Sequence, residues 1–108
     1  MGTLHYGSPP VSFPIEDRTL AHVELVVVAK LRRNENFAFA IDDEQGGRST
    51  IWVSTSAALR FEYGQVQHEI NRQWLEELID SANTTAGMRL LPEPERPHAP
   101  EPQAPAEG

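Results

Sequence analysis

The chain has 108 residues and a formal charge of −7, with nine Lys and Arg against sixteen Asp and Glu. That length fits one small domain, and the acidic balance argues against a protein that is basic overall and built for nucleic acid or a membrane surface. With no cysteine, disulfides, thiol nucleophiles and thiolate metal sites are excluded.

No run approaches the ~18 apolar residues of a membrane span and no signal-peptide pattern opens the chain, so the expectation is a soluble, cytoplasmic protein. Composition then divides the sequence. Six of the nine prolines fall between Pro92 and Gly108, where no apolar side chain is as large as leucine. Such a stretch cannot repay its ordering entropy. The expected organisation is a folded α+β domain over residues 1–91 and a disordered, proline-rich acidic tail over 92–108. A domain of this size supports one core and little enclosed volume, which weighs against a large enzyme cleft.

In chain order, Leu4–Tyr6 and the alternating Val11, Phe13 and Ile15 predict a hairpin around Gly7 and Ser8-Pro9-Pro10. Pro14 makes its second strand an edge or a bulge. Asp17 is the expected N-cap of a helix from Arg18 to about Arg33, ending where Asn34 can leave the α region. Leu20, Val23, Val27 and Leu31 form its sheet-facing stripe, with Val28 beside it. Leu25, Val26 and Ala29 lie elsewhere on the cylinder, so a second cover is expected, either another helix or a partner chain. Phe37, Phe39 and Ile41 then alternate inward along a strand. A hairpin connection over residues 42–47 leads into a strand around Ile51-Trp52-Val53. Residues 54–58 read as a turn or a single helical turn, and Leu59, Phe61 and Tyr63 line one face of a strand stopped by Gly64. Residues 65–70 read as loop.

Asn71 is positioned to cap a second helix from Arg72 to about Asn83, with Trp74, Leu75, Leu78, Ile79 and Ala82 on one arc. Gly87 closes it, and Met88–Leu91 leave room for a short final strand. The predicted order is β-β-α-β-β-β-α, with a curved antiparallel sheet and both helices packed on it.

At 100° per residue, Arg18, His22, Ala29 and Arg33 lie within about 60° of one another. With Arg32 nearby and Lys30 on the same helix, they form a basic line. Arginine forks suit phosphate oxygens, so Arg18, His22, Lys30, Arg32 and Arg33 are candidates for anion or nucleic-acid contact. The alternatives are an acidic protein partner, or a solvated face whose last basic residues complement the helix dipole. Glu24 projects into the apolar arc, where it needs a partner such as Arg60, Arg72 or Trp52, or a half-exposed site. Trp52 and Trp74 are expected to be neighbours in the core.

Motifs for other chemistry are missing. His5, His22, His68 and His98 lack ligand spacing, and pairing His68 with Glu69 makes a poor zinc site because adjacent strand residues point apart. Asp42, Asp43 and Glu44 lack the calcium-loop pattern. No phosphate-binding glycine loop occurs, and no serine sits in a nucleophile elbow. No catalytic residue, metal or cofactor is assigned. The spacing Pro94-x-x-Pro97 and its repeats suits polyproline II, although a compositional spacer is the stronger reading.

The segments Met1-Gly2-x-Leu4-x-Tyr6-Gly7, Asp17-Arg18-x-Leu20-Ala21-His22, Lys30-Leu31-Arg32-Arg33, Phe37-x-Phe39, Ile51-Trp52-Val53, Asn71-Arg72-x-Trp74 and Gly87-Met88-Arg89-Leu90-Leu91-Pro92-Glu93-Pro94 together resemble a family of roughly hundred-residue actinobacterial proteins of no established function. Members sometimes carry an automatic label of ATP-dependent DNA ligase. That label fits badly. The adenylation motif K-x-D-G is missing, since the only lysine, Lys30, is followed by Leu31-Arg32-Arg33. The resemblance draws attention to Arg18, His22, Lys30, Arg32, Arg33, Asn71, Arg72 and Trp74 without giving them a chemistry. Asn34 departs from it, because relatives tend to have glycine there.

The leading expectation is a non-enzymatic domain for protein interaction or self-association, a homodimer being favoured, through Leu25, Val26 and Ala29. The alternative is a nucleic-acid accessory module using the basic face of the first helix. An enzyme built on Glu24 and His22 ranks last, because the two project to different sides of the helix.

Overall fold

The computed structural model describes residues 1–66 and 69–94. Its elements follow the expected α+β order: β1 (Gly2–Tyr6), β2 (Val11–Ile15), α1 (Asp17–Arg32), β3 (Phe37–Asp42), β4 (Arg48–Val53), β5 (Leu59–Glu62), α2 (Arg72–Ala82) and β6 (Met88–Arg89). The expected single curved antiparallel sheet takes the form of two three-stranded sheets, β2-β1-β5 and β4-β3-β6. The first is antiparallel throughout. In the second, β4 runs antiparallel to β3 and β6 runs parallel to it.

Chain reversal explains the division. After β4, the turn at residues 54–58 carries the chain to β1 instead of back along β4. There the Gly7 N–H donates to the Ala58 carbonyl at 2.8 Å, and the Tyr6 hydroxyl donates to the Trp52 carbonyl at 2.6 Å. β6 arrives from α2, and a helical crossover permits the parallel pairing. Its approach depends on Gly87, at φ +89°, where a Cβ would lie 2.5 Å from the Ala38 carbonyl oxygen. No side chain fits there without moving the β3 backbone.

The core lies between the sheets and the helices. Leu20, Val23 and Val27 of α1 join Leu4, Ile15, Phe37, Phe39, Ile51 and Val53 from the strands, and Trp74, Leu78 and Ala82 from α2. Trp52 does not join Trp74 there. Ile51 and Val53 point inward, so the two-residue period of β4 turns Trp52 outward, where it is 56% exposed opposite Ala38.

The start of α1 also differs from expectation. Glu16 occupies the N-cap position without a side-chain cap bond. Asp17 is buried inside the first turn, and its carboxylate accepts from the Gly64 N–H at 3.1 Å and the Gln65 N–H at 2.9 Å. Burial alone raises a carboxylate pKa, but these backbone donors and the Met1 ammonium outweigh it and hold Asp17 below its ordinary value. Asp17 thus ties the exit of β5 to α1. At the other end Asn34 adopts φ 58°, the left-handed conformation expected of it. α2 begins as expected, with Asn71 Oδ1 accepting from the Trp74 N–H at 3.2 Å.

Candidate functional site

The exposed and buried faces of α1 decide which candidate residues can meet a partner. One face packs on the sheets through Leu20, Val23 and Val27. A second face, carrying His22, Val26 and Lys30, is buried and meets α2. His22 lies at the start of α2 and Lys30 reaches Asn83 at its end, so the two helices run side by side in the same direction.

The expected basic line coincides with this seam. The Asn71 N–H donates to His22 Nε2 at 2.9 Å, and His22 Nδ1 lies 2.8 Å from the Arg18 carbonyl. A carbonyl only accepts, so the proton sits on Nδ1 and the imidazole is neutral. Its ring centroid is 4.5 Å from that of Trp74. Arg18 holds both carboxylate oxygens of Glu93, at 2.9 and 2.7 Å, and donates to the Glu69 carbonyl at 2.7 Å.

Lys30 donates to Asn83 Oδ1 at 2.5 Å, pairs with Glu35 at 3.3 Å and lies 5.8 Å above the Phe37 ring centroid. Arg33 shares Glu35 at 3.4 Å. Arg32 is exposed and has no ion pair among the described residues. The five basic candidates therefore form no single surface. Arg18 and His22 gather at the start of α2, Lys30 and Arg33 meet at Glu35, and Arg32 stands apart.

Ordered packing continues three residues past Leu91. The Trp74 indole N–H donates to the Leu91 carbonyl at 2.8 Å, while Asn71 Nδ2 donates to Glu93 at 3.0 Å and to the Pro94 carbonyl at 3.3 Å. Residues 92–94 thus form a strap over the start of α2. Residues 95–108, which include most of the expected disordered tail, lie outside the described residues. So does His68, and with it the candidate pairing of His68 and Glu69.

The third face of α1 is open. Val26, an expected interface residue, is fully buried instead, because α2 covers that side. Leu25 and Val28 are 43% and 41% exposed, and Ala29 is exposed beside them. With Ala21 and Arg32 they form a ridge along the helix. Two apolar grooves border it on the β5 side. One, of about 330 Å³, is lined by Ala21, Glu24, Leu25, Tyr63, Val66 and Ile70. The other, of about 380 Å³, includes Val28, Leu31, Arg32, Leu59 and Phe61.

Glu24 finds its partner in neither arginine nor tryptophan. Its Oε1 accepts from the Tyr63 hydroxyl at 2.5 Å, and that hydroxyl also lies 3.3 Å from the Leu20 carbonyl. Burial and the adjacent Glu24 carboxylate push the Tyr63 hydroxyl pKa up, so it stays protonated as the donor. The sequence places Tyr63 only on a strand face with Leu59 and Phe61 and assigns no role to Val66 or Ile70. The spaced aliphatic residues inside an otherwise polar loop were the available signal.

A separate polar cluster crosses the first sheet. His5 Nδ1 lies 2.9 Å from Ser12 Oγ and His5 Nε2 lies 2.8 Å from Glu62 Oε1. These residue types match a hydrolytic triad, but Ser12 is exposed in the middle of a strand opposite His5. The arrangement follows the strand register, with His5 directly opposite Ser12, and it reads as cross-strand pairing. Among the described residues no three His, Asp or Glu side chains converge as metal ligands. Nor is any described helix long and apolar enough to cross a membrane.

Residues 1–93 match a family described as Domain of unknown function (DUF7882). The chain belongs to that family. No curated protein and no solved structure matches it. The matched span reaches Glu93, so both sides of the Arg18–Glu93 contact lie within the family domain.

That contact has a pH signature. Hydrogen bonds from Arg18, then from Asn71, lower the Glu93 pKa to about 2 from its ordinary 4.5. A depressed native pKa adds stability that is full above the unfolded value and disappears as pH falls towards 2. The side chains are 26% and 29% exposed, so water screens the pair, and about 1 kcal/mol is expected at neutral pH. Urea denaturation of the parent and Glu93→Gln should therefore differ by that amount at pH 7 and converge near pH 2. An equal difference at both pH values would exclude this role.

Proposed function

We propose that this domain is a non-enzymatic protein-interaction module whose docking surface is the open ridge of α1 and its two bordering grooves. One observation carries the reading. Leu25 and Val28 stand in water on a helix whose Leu20, Val23, Val26 and Val27 are buried against the sheets and α2. Covering such a patch is favourable at roughly 25 cal/mol per Å² of apolar surface, and contiguous exposed apolar surface rimmed by polar groups characterises interaction sites. The nucleic-acid reading draws less support, since Arg18, Lys30 and Arg33 already hold carboxylates.

The resemblance of its short motifs supports an actinobacterial origin, and we propose a cytoplasmic location from the lack of a signal-peptide pattern or membrane-length apolar run in the sequence. Adenylyl transfer forms no part of the proposed function, because a lysine nucleophile must be free to attack and Lys30 is buried between Asn83 and Glu35. A photo-crosslinking side chain at position 25, in cells that express the chain, tests the proposal. Illumination should give an adduct of discrete mass, whereas the same group at Trp52, on the outer face of β4, should give none. No discrete adduct at position 25 would overturn the reading.

A further inference from the structure

Resting on that docking surface, we infer that its occupant is a second copy of this chain, bound as an antiparallel pair of α1 helices about a twofold axis beside Val28. The argument is the charge pattern along the ridge. Glu24 lies one turn before Val28 and Arg32 one turn after it, and both border the open grooves. Among the described residues, Tyr63 engages only one Glu24 oxygen and Arg32 has no ion pair.

An antiparallel copy sets Val28 against the partner's Val28, Leu25 against the partner's Leu31, and Glu24 against the partner's Arg32. The twofold produces each charge pair twice. A parallel copy would instead bring Glu24 to the partner's Glu24 and Arg32 to the partner's Arg32, setting like charges together. The ridge is thus complementary to itself in one direction only.

The small side chains of Ala21 and Ala29 let the helix axes approach closely, within the usual 8–10 Å range of packed helices. A helix of sixteen residues is about 24 Å long, and its ridge alone falls short of the ~800 Å² per partner of a standard stable interface. Val66 and Ile70, on the far wall of the first groove, extend the contact. A dimer of micromolar strength is therefore expected.

Sedimentation of the full chain across micromolar concentrations should show the apparent mass rising from 12.1 kDa towards twice that value. Arg32→Glu alone should weaken association at least tenfold, as should Glu24→Arg alone. An equimolar mixture of the two variants should associate again, because each carries the charges that the other needs. Should Glu24→Arg fail to fold, Val28→Cys supplies an independent readout in a chain with no cysteine of its own. It should cross-link to a covalent dimer under mild oxidation, while Thr50→Cys, exposed on β4, stays monomeric.

A chain that remains at 12.1 kDa without a Val28→Cys cross-link overturns the inference, as does a mixture that stays dissociated. The position-25 cross-linker separates the two levels. An adduct with the mass of two chains supports the second copy, and an adduct of another mass removes the second copy while leaving the docking surface intact. No adduct removes both.

Discussion

Trp74→Ala is expected to cost about 3–5 kcal/mol of folding free energy, the range for removing a large buried ring and leaving a cavity. Trp74 is almost wholly buried in the core and serves three partners at once. Its backbone N–H donates to the Asn71 cap, its ring lies against His22, and its indole N–H donates to the Leu91 carbonyl. Losing the ring therefore loosens the α1–α2 seam and also the strap that brings Glu93 to Arg18. Small domains hold only about 5–15 kcal/mol in total, so the variant should be largely unfolded in mild urea. A denaturation midpoint close to that of the parent would show that the seam does not hold the fold together.

His22→Ala should cost almost as much, about 3–4 kcal/mol, from the cavity together with an orphaned backbone N–H. The Asn71 N–H loses its partner inside the protein, and an unsatisfied buried group costs about 1–3 kcal/mol; the Arg18 carbonyl keeps the helical N–H four residues on. His22→Phe divides the effect. It keeps a ring against Trp74 but restores neither hydrogen bond, so a loss of about 2 kcal/mol is expected in urea denaturation. A phenylalanine variant as stable as the parent would mean that the two nitrogens contribute nothing.

The order of elements was readable in the sequence because each one carries a local pattern. Phe37, Phe39 and Ile41 alternate, Asn71 precedes an amphipathic arc, and Asn34 and Gly87 stand where the backbone takes positive φ. Local pattern could not reveal which helix face meets which element. His22 and Lys30 look solvent-facing by residue type, yet neutral His22 satisfies both nitrogens within the seam. Lys30 is buried, with its ammonium lying over the Phe37 ring and donating to Asn83.

Of the two covers the sequence leaves open for Val26, another helix or a partner chain, α2 is the one that buries it. Trp52 departs from the core for a different reason: Ile51 and Val53 take the inward positions of β4, and the size of a side chain does not decide which face it occupies. Partners distant in sequence carried no local signal. Glu24 and Tyr63 are 39 residues apart, and Arg18 and Glu93 are 75 apart. Glu93 also sits in a segment whose composition reads as tail. The split into two sheets likewise depends on β5 choosing β1 over its neighbour in sequence.

The division of α1 into a sealed seam and an open ridge underlies both the fold and the proposed function, and thiol labelling of single-cysteine variants tests it directly. Because the parent chain contains no cysteine, each variant reports on one position. In dilute, folded protein, Val28→Cys should react with a thiol reagent at nearly the rate of a free thiol. Val26→Cys, two residues earlier and fully buried, should react only through opening of the structure and at least a hundredfold more slowly. Equal labelling rates at the two positions, or a protected Val28→Cys in dilute monomer, would contradict the account.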